Sequence, residues 1–114
     1  MPYSKALAAR VRQALAGRRG VIEKNIAEKK MFGGVCFLLQ GNMLVGVWQD
    51  SLIARLGVEC AEPALRQEHV REFDVTGRPM KGWVMIDPEG LDTDAQLNEW
   101  LEQARDFVTS LPPK

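Results

Sequence analysis

The strongest fold signal in the chain is the stretch Val35-Cys36-Phe37-Leu38-Leu39-Gln40-Gly41-Asn42-Met43-Leu44-Val45-Gly46-Val47-Trp48. Two apolar runs flank Gly41-Asn42, a pair that tolerates the positive φ of a tight two-residue turn. We therefore predict an antiparallel hairpin of Val35–Gln40 and Met43–Trp48, with Leu39 opposite Leu44.

Apolar residues occupy both faces of this hairpin, whereas an antiparallel sheet with one wet face alternates apolar and polar residues. Each face therefore needs a cover. Helices can cover one face. The other needs the remaining helix, a curled continuation of the sheet or a second copy of the chain, and we expect a homodimer.

Helical patterns lie at both ends of the chain. An N-terminal helix ends at Gly17 and Gly20, and its apolar positions recur at helical spacing: Tyr3, Leu7, Val11, Ala14 and Leu15. A C-terminal helix begins at the capping box of Thr93 and Gln96 and stops before Pro112-Pro113. Its predicted buried stripe is Leu97, Trp100, Leu101, Ala104, Phe107 and Val108.

The remaining patterns predict short elements between these helices. Gly33-Gly34 marks a bend or bulge that excludes a bulky side chain, and Glu62-Pro63 opens a short helix, because proline suits the first helical turn. Further strands are predicted at Val21–Ile26, Leu52–Leu56, Phe73–Val75 and Trp83–Ile86. The fold class is α+β: an antiparallel β-sheet meander flanked by N- and C-terminal α-helices, in one domain over residues 1–114.

Net charge is formally zero, but the charges are unevenly distributed. Residues 1–30 contain eight basic and two acidic side chains, whereas residues 87–114 contain seven acidic and two basic ones. The favoured interpretation is that the two terminal segments pack together and neutralise each other; the alternative is a basic face for nucleic acid or an acidic partner. Nucleic-acid binding is not favoured, because a duplex-binding domain usually carries net positive charge.

The composition predicts a cytoplasmic protein without recognisable catalytic chemistry. No apolar run reaches the ~20 residues of a membrane span, and the N-terminus lacks a secretion signal. Cys36 and Cys60 are expected to be reduced thiols rather than a disulfide. His69 is the only histidine and is expected at the surface, so neither a catalytic site, a metal site nor a cofactor is predicted.

Two sequence blocks carry a family resemblance. Lys30-Met31-Phe32-Gly33-Gly34, followed by the hairpin, and Thr76-Gly77-Arg78-Pro79-Met80-Lys81-Gly82-Trp83 resemble the TfoX/Sxy N-terminal domain family over nearly the whole chain. The resemblance implies an α+β domain of YjbR-like outline. The family is named after longer bacterial regulators of natural competence that carry a second, C-terminal domain, so the competence role is not carried over to these 114 residues.

The resemblance and the charge pattern together suggest a binding surface. Basic side chains near aromatic ones can grip an anion, a nucleic-acid backbone or an acidic protein segment. We expect a non-enzymatic regulatory or adaptor domain acting through protein contacts; the alternatives are a nucleic-acid-binding regulator and a small-molecule enzyme without a recognisable motif. The candidate surface comprises Lys30, Phe32, Arg55, Arg78, Lys81 and Trp83.

Overall fold

The computed structural model of the protein describes residues 4–16, 26–31, 34–39, 41–73 and 81–111. Within these ranges, three α-helices and a six-stranded antiparallel sheet form the predicted α+β fold. The helices are α1 (Lys5–Ala16), α2 (Val58–Ala64) and α3 (Asp94–Val108), with a 3-10 helix at Pro88–Leu91. The strands are β1 (Ile26–Met31), β2 (Gly34–Leu39), β3 (Asn42–Trp48), β4 (Ser51–Arg55), β5 (Val70–Glu72) and β6 (Trp83–Ile86).

The strand order is β1-β2-β3-β4-β6-β5. The first four strands form the predicted meander; the chain then passes through α2 to the edge strand β5 and returns as β6 between β4 and β5. The strand at Trp83–Ile86 is confirmed, whereas β4, at Ser51–Arg55, begins and ends one residue earlier than the predicted Leu52–Leu56. The prediction at Phe73–Val75 is wrong for Phe73, which directly follows β5, and its other two residues lie outside the described residues. Of Val21–Ile26, only Ile26 lies in the described ranges, where it begins β1.

The hairpin of β2 and β3 is present, but its predicted turn is wrong. Leu39 lies opposite Asn42, so residues 40 and 41 connect the strands and Asn42 already belongs to β3. Gly41 has a φ of 84°, a left-handed conformation that glycine adopts without steric cost. The glycine therefore still makes the turn, but as the second residue of the loop rather than the first.

A β-bulge changes the register further along the hairpin. Phe37 pairs with Val45 but the next residue, Leu38, pairs with Met43, which leaves Leu44 as the extra residue on β3. Leu44 and Val45 both enter the helix-side core and are fully buried. The bulge thus places two successive apolar side chains on the same face of the sheet.

The three helices pack on one face of the sheet and bury the main core. Leu7 and Val11 of α1, Ala61 of α2 and Leu101 of α3 belong to the same cluster of buried side chains. The sheet contributes Val35, Phe37, Leu39, Leu44, Val45, Val47, Leu52, Ala54, Val84 and Ile86. Fully burying one such side chain stabilises the fold by about 1.5–3 kcal/mol, so this face accounts for most of the hydrophobic stabilisation.

The opposite face of the sheet carries a smaller cluster of Ile53, Phe73 and Met85. Met43, Trp48 and Trp83 are half-buried against it. The prediction that both faces of the hairpin are apolar is thus consistent with packing within one copy of the chain, and this face does not by itself require a second copy. The homodimer stays a prediction.

Local capping signals fix the ends of the terminal helices. The Ser4 hydroxyl accepts a hydrogen bond from the Leu7 amide at the start of α1. The capping box of Thr93 and Gln96 is present in both directions, as predicted. In α3 the predicted stripe is buried apart from Phe107, which is half-buried. Tyr3, Gly17, Gly20 and Pro112-Pro113 lie outside the described residues.

The prediction that Glu62-Pro63 opens a helix is wrong, because α2 begins at Val58 and Pro63 lies inside it near its end. Gly57, with a φ of 83°, turns the chain out of the sheet directly before Val58. Pro63 has no amide to donate to the preceding turn of the helix, and α2 ends at Ala64.

The glycine requirement in the Gly33-Gly34 block has a visible cause at Gly34. A Cβ atom at this position would collide with the carbonyl oxygen of Val47 on β3. The predicted exclusion of a bulky side chain is therefore confirmed at Gly34, whereas Gly33 lies outside the described residues.

The terminal helices α1 and α3 contact each other, as the charge pattern predicts. Arg10 Nη2 lies 3.4 Å from Asp94 Oδ1 across this contact. Such an exposed pair contributes at most about 1 kcal/mol. In the described ranges, no helix is long and apolar enough to cross a membrane.

Arg12 and Glu28 form a bidentate pair between α1 and β1, with both N···O distances 2.7 Å. The hydrogen bond and positive charge of Arg12 lower the pKa of Glu28. A lowered pKa in the folded state stabilises the protein above the unfolded-state value, and this contribution disappears as pH falls through the folded-state pKa.

We expect the Arg12→Gln variant to lose up to about 1 kcal/mol of unfolding free energy at neutral pH, because the pair is partly exposed. Well below the ordinary glutamate pKa of about 4.3, wild type and variant should converge. Urea unfolding at both pH values checks this, and an equal difference at both would contradict it.

The two cysteines are free and differ in accessibility: Cys36 is buried and Cys60 is exposed. Burial raises the pKa of the Cys36 thiol, which further suppresses the reactive thiolate.

We expect iodoacetamide to label one thiol in the native protein and both in urea. The Cys60→Ser variant should remain unlabelled until it unfolds; native labelling of that variant would show that Cys36 is accessible.

Candidate functional site

A backbone corner joins the end of β4 to the start of β6. The amides of Leu56 and Gly57 both donate to the carbonyl oxygen of Gly82, at 2.9 and 3.0 Å. Gly57 and Gly82 have φ values of 83° and 88°. The corner fixes where α2 leaves the sheet and places Trp83 directly opposite Arg55 in the β4–β6 register.

Arg55 is held between two aromatic rings at this corner. Its guanidinium carbon lies 5.2 Å from the ring centroid of Trp83 and 5.7 Å from that of Phe107. Both separations lie within the range of a cation–π interaction. Trp83 in turn lies 5.8 Å from Phe73, at a tilted angle of 43°. The ring stack therefore links Arg55 to the small core and to α3.

Next to this stack, a groove of about 470 Å³ lies between α2 and the β5–β6 side of the sheet. Val58 belongs to its apolar lining, is 55% exposed and is an exposed large apolar side chain. Half-buried Leu65 and Trp83 extend this apolar surface. We call this surface the α2–β6 groove; it is lined by Val58, Ala61, Glu62, Leu65, Glu72, Lys81, Gly82 and Trp83.

Charged side chains surround the apolar part of the α2–β6 groove. Glu62, Glu72 and Lys81 are exposed, and among the described residues none of the three forms an ion pair. An apolar centre with a polar rim is the usual anatomy of a protein interface. The rim offers charges of both signs to a bound molecule.

The structure brings together half of the predicted surface. Arg55, Lys81 and Trp83 meet at the corner and the groove. Lys30 lies on the edge strand β1, four strand spacings from β6, or roughly 19 Å; there, an exposed lysine discourages pairing with another sheet. The structure therefore does not bring Lys30 together with Arg55, Lys81 and Trp83. Phe32 and Arg78 lie outside the described residues.

The α2 side of the groove was not predicted from the sequence. Val58, Leu65 and Glu62 line it, but the predicted helix began too late to put Val58 on a helix. The available signal was Gly57 after a strand pattern, because a glycine with positive φ can redirect the chain into a helix.

Other concave regions are less suited to a partner. A groove of about 490 Å³ between α1 and α3 contains Arg10 and Asp94, which already pair with each other. A smaller one of about 290 Å³ lies beside Leu7 and Leu91. Neither combines an exposed large apolar side chain with aromatic neighbours.

His69 lies directly before β5, where its backbone makes a structural contact. It has a φ of 68° and its carbonyl oxygen accepts a hydrogen bond from the Asp87 amide at 2.7 Å. Asp87 also accepts from Arg71 Nε at 2.9 Å. Over the described ranges, no group of three or more His, Cys, Asp or Glu side chains could hold a metal ion. These residues join β5 to the end of β6.

We expect the Gly57→Ala variant to lose more stability than Gly82→Ala. Both substitutions force a positive φ on alanine, at a cost of about 1–2 kcal/mol, but the new Cβ at residue 57 would lie 2.5 Å from Phe107 Cδ1. At residue 82 the nearest atom is 3.3 Å away. Urea unfolding compares the variants directly, and equal losses would show that Phe107 is not held against the corner.

Comparison with known proteins identifies the family of the chain. The family model of the TfoX N-terminal domain matches residues 22–108. No curated protein and no solved structure matches the chain significantly. The matched range contains all six described strands and α2, and therefore the complete α2–β6 groove. The chain belongs to the TfoX N-terminal domain family, a family of regulatory type.

Proposed function

We propose that this protein is a non-enzymatic regulatory or adaptor domain that acts in the cytosol through protein–protein contacts. The observation that carries the proposal is the α2–β6 groove, where the exposed Val58 and the Trp83 ring adjoin charges without ion-pair partners in the described ranges. Aromatic and arginine side chains are the commonest anchors of protein interfaces. Trp83 and Arg55 supply both types here.

The charges of the groove favour protein over nucleic acid. Glu62 and Glu72 place two carboxylates on the rim beside a single lysine, Lys81, and the chain has no net positive charge. A phosphate backbone needs several cations in succession. A protein segment with mixed charge and an apolar side chain suits this rim better.

A binding role also suits the placement of titratable groups. Glu28 and Cys36 have shifted pKa values, but an ion pair causes the first shift and burial the second. Neither residue lines the groove. Catalytic acids and bases are usually recognised by shifted pKa values inside a cleft, so these two shifts give no support to an enzyme at this site.

We expect the Val58→Asp variant to lose its protein partner. Affinity capture from the source cell should recover a protein with wild type, and the variant should recover at least about tenfold less, because a charge in an interface centre costs more than 1.4 kcal/mol. The Lys29→Gln variant is the matched control: it changes net charge by the same amount on the distant strand β1.

Three other outcomes would contradict the proposal. Equal recovery with Val58→Asp would place the contact elsewhere. Recovery of nucleic acid, lost on nuclease treatment and steeply reduced by salt, would favour the nucleic-acid alternative. Recovery of neither would favour the small-molecule alternative. Thermal unfolding of both variants confirms that each is folded, since exposed substitutions usually change stability by less than about 0.5 kcal/mol.

A further inference from the structure

Arg55 differs in its surroundings from four of the five other described arginines; the fifth, Arg66, also forms no ion pair among the described residues. Arg10, Arg12, Arg71 and Arg105 each have a carboxylate oxygen within 3.5 Å. Arg55 instead has an aromatic ring near its guanidinium on β6 and another on α3. Within the described ranges, no hydrogen bond or ion pair engages its guanidinium nitrogens.

This arrangement leaves the hydrogen-bonding capacity of Arg55 available. A ring face attracts the positive charge of the guanidinium but supplies no oxygen acceptor to its five N–H groups. Arg55 is only half-buried, so solvent reaches the side chain. Because Trp83 and Phe107 restrict the guanidinium, less conformational freedom remains to be lost when an anion binds.

The N–H groups at the edge of a guanidinium form a planar fork. This fork suits a planar anion whose two oxygens can each accept a hydrogen bond. A carboxylate can accept two parallel N–H hydrogen bonds from one guanidinium. Trp83 belongs both to the Arg55 stack and to the α2–β6 groove. A carboxylate on Arg55 and an apolar side chain beside Val58 can therefore come from neighbouring residues of one bound segment.

We infer that Arg55, held between Trp83 and Phe107, binds a carboxylate of a partner protein segment whose adjacent apolar side chain occupies the α2–β6 groove. This inference rests on the proposed function and specifies the partner's chemistry. A single carboxylate fits because Glu62 and Glu72 disfavour additional negative charge, and Lys81 supplies a second cation on the same rim.

The test is selection of peptides from a random display library on the folded full chain. Peptides bound by wild type should contain an acidic residue next to an apolar one. Replacing that Asp or Glu by its amide should weaken binding about 10- to 100-fold, the range for a hydrogen bond to a charged group. The same replacement should have little effect on binding to Arg55→Met.

Two further variants separate the roles of charge and geometry. Arg55→Lys keeps the positive charge but loses the planar fork, so it should recover only part of the affinity. Lys29→Met is the control, because it removes a cation from the distant strand β1 and should bind the selected peptides like wild type. Thermal unfolding checks each variant, and Arg55→Lys keeps the test decisive if Arg55→Met does not fold.

The outcomes distinguish this inference from the proposed function. Apolar peptides without acidic enrichment that lose binding with Val58→Asp would overturn the role of Arg55 and support the groove. Failure to select any peptide would overturn this inference, whereas the proposed function would fail only if capture with wild type and Val58→Asp also recovered no protein that depends on the groove. Salt-sensitive binding of a fluorescein-labelled single-stranded DNA that is lost in Arg55→Met would overturn the peptide carboxylate and assign Arg55 to phosphate.

Discussion

The carbonyl oxygen of Gly82 accepts hydrogen bonds from two successive amides, and the groove side of the molecule depends on this corner. It ends β4, positions β6 beside it and sends the chain into α2 from Gly57. Because the corner also brings Gly57 against Phe107, it holds the end of α3 close to Arg55. One backbone constraint thus assembles the groove and the ring stack.

The two faces of the sheet have different tasks. On the helix side, aliphatic side chains of the strands and of the helices are buried against each other, and they supply most of the hydrophobic stabilisation. The other side is closed by a smaller set with large rings, among them Phe73, Trp48 and Trp83. Trp83 lies where this set reaches the corner, so the same ring contributes to packing and to the surface offered to a partner.

The sequence predicted those elements that local interactions determine. The capping box of Thr93 and Gln96 and a continuous apolar stripe specify α3, and the glycine at position 41 marks the hairpin. The register between β2 and β3 was not predictable for two reasons. Two alternative turns fit the same apolar runs, and the bulge at Leu44 follows from packing against the helices. The start of α2 has a local sign in Gly57 but is fixed by the distant Gly82 carbonyl, a tertiary contact that the local pattern does not reveal.

The candidate site was predicted in part for the same reason. Charge and aromatic character drew attention to Arg55, Lys81 and Trp83, but strand order alone decides that Lys30 lies at the far edge. Val58 was missed because its exposure depends on where α2 leaves the sheet. Surfaces built between elements are therefore harder to predict than the elements themselves.

The contact of Arg55 with two aromatic rings is the central claim, and NMR of its side chain tests it most directly. The δ-methylene protons and the Nε–H group of an arginine between two aromatic rings should experience ring currents. We predict resonances well displaced from those of a solvated arginine, and a large change in Phe107→Leu. Unperturbed resonances that do not respond to this substitution would contradict the account.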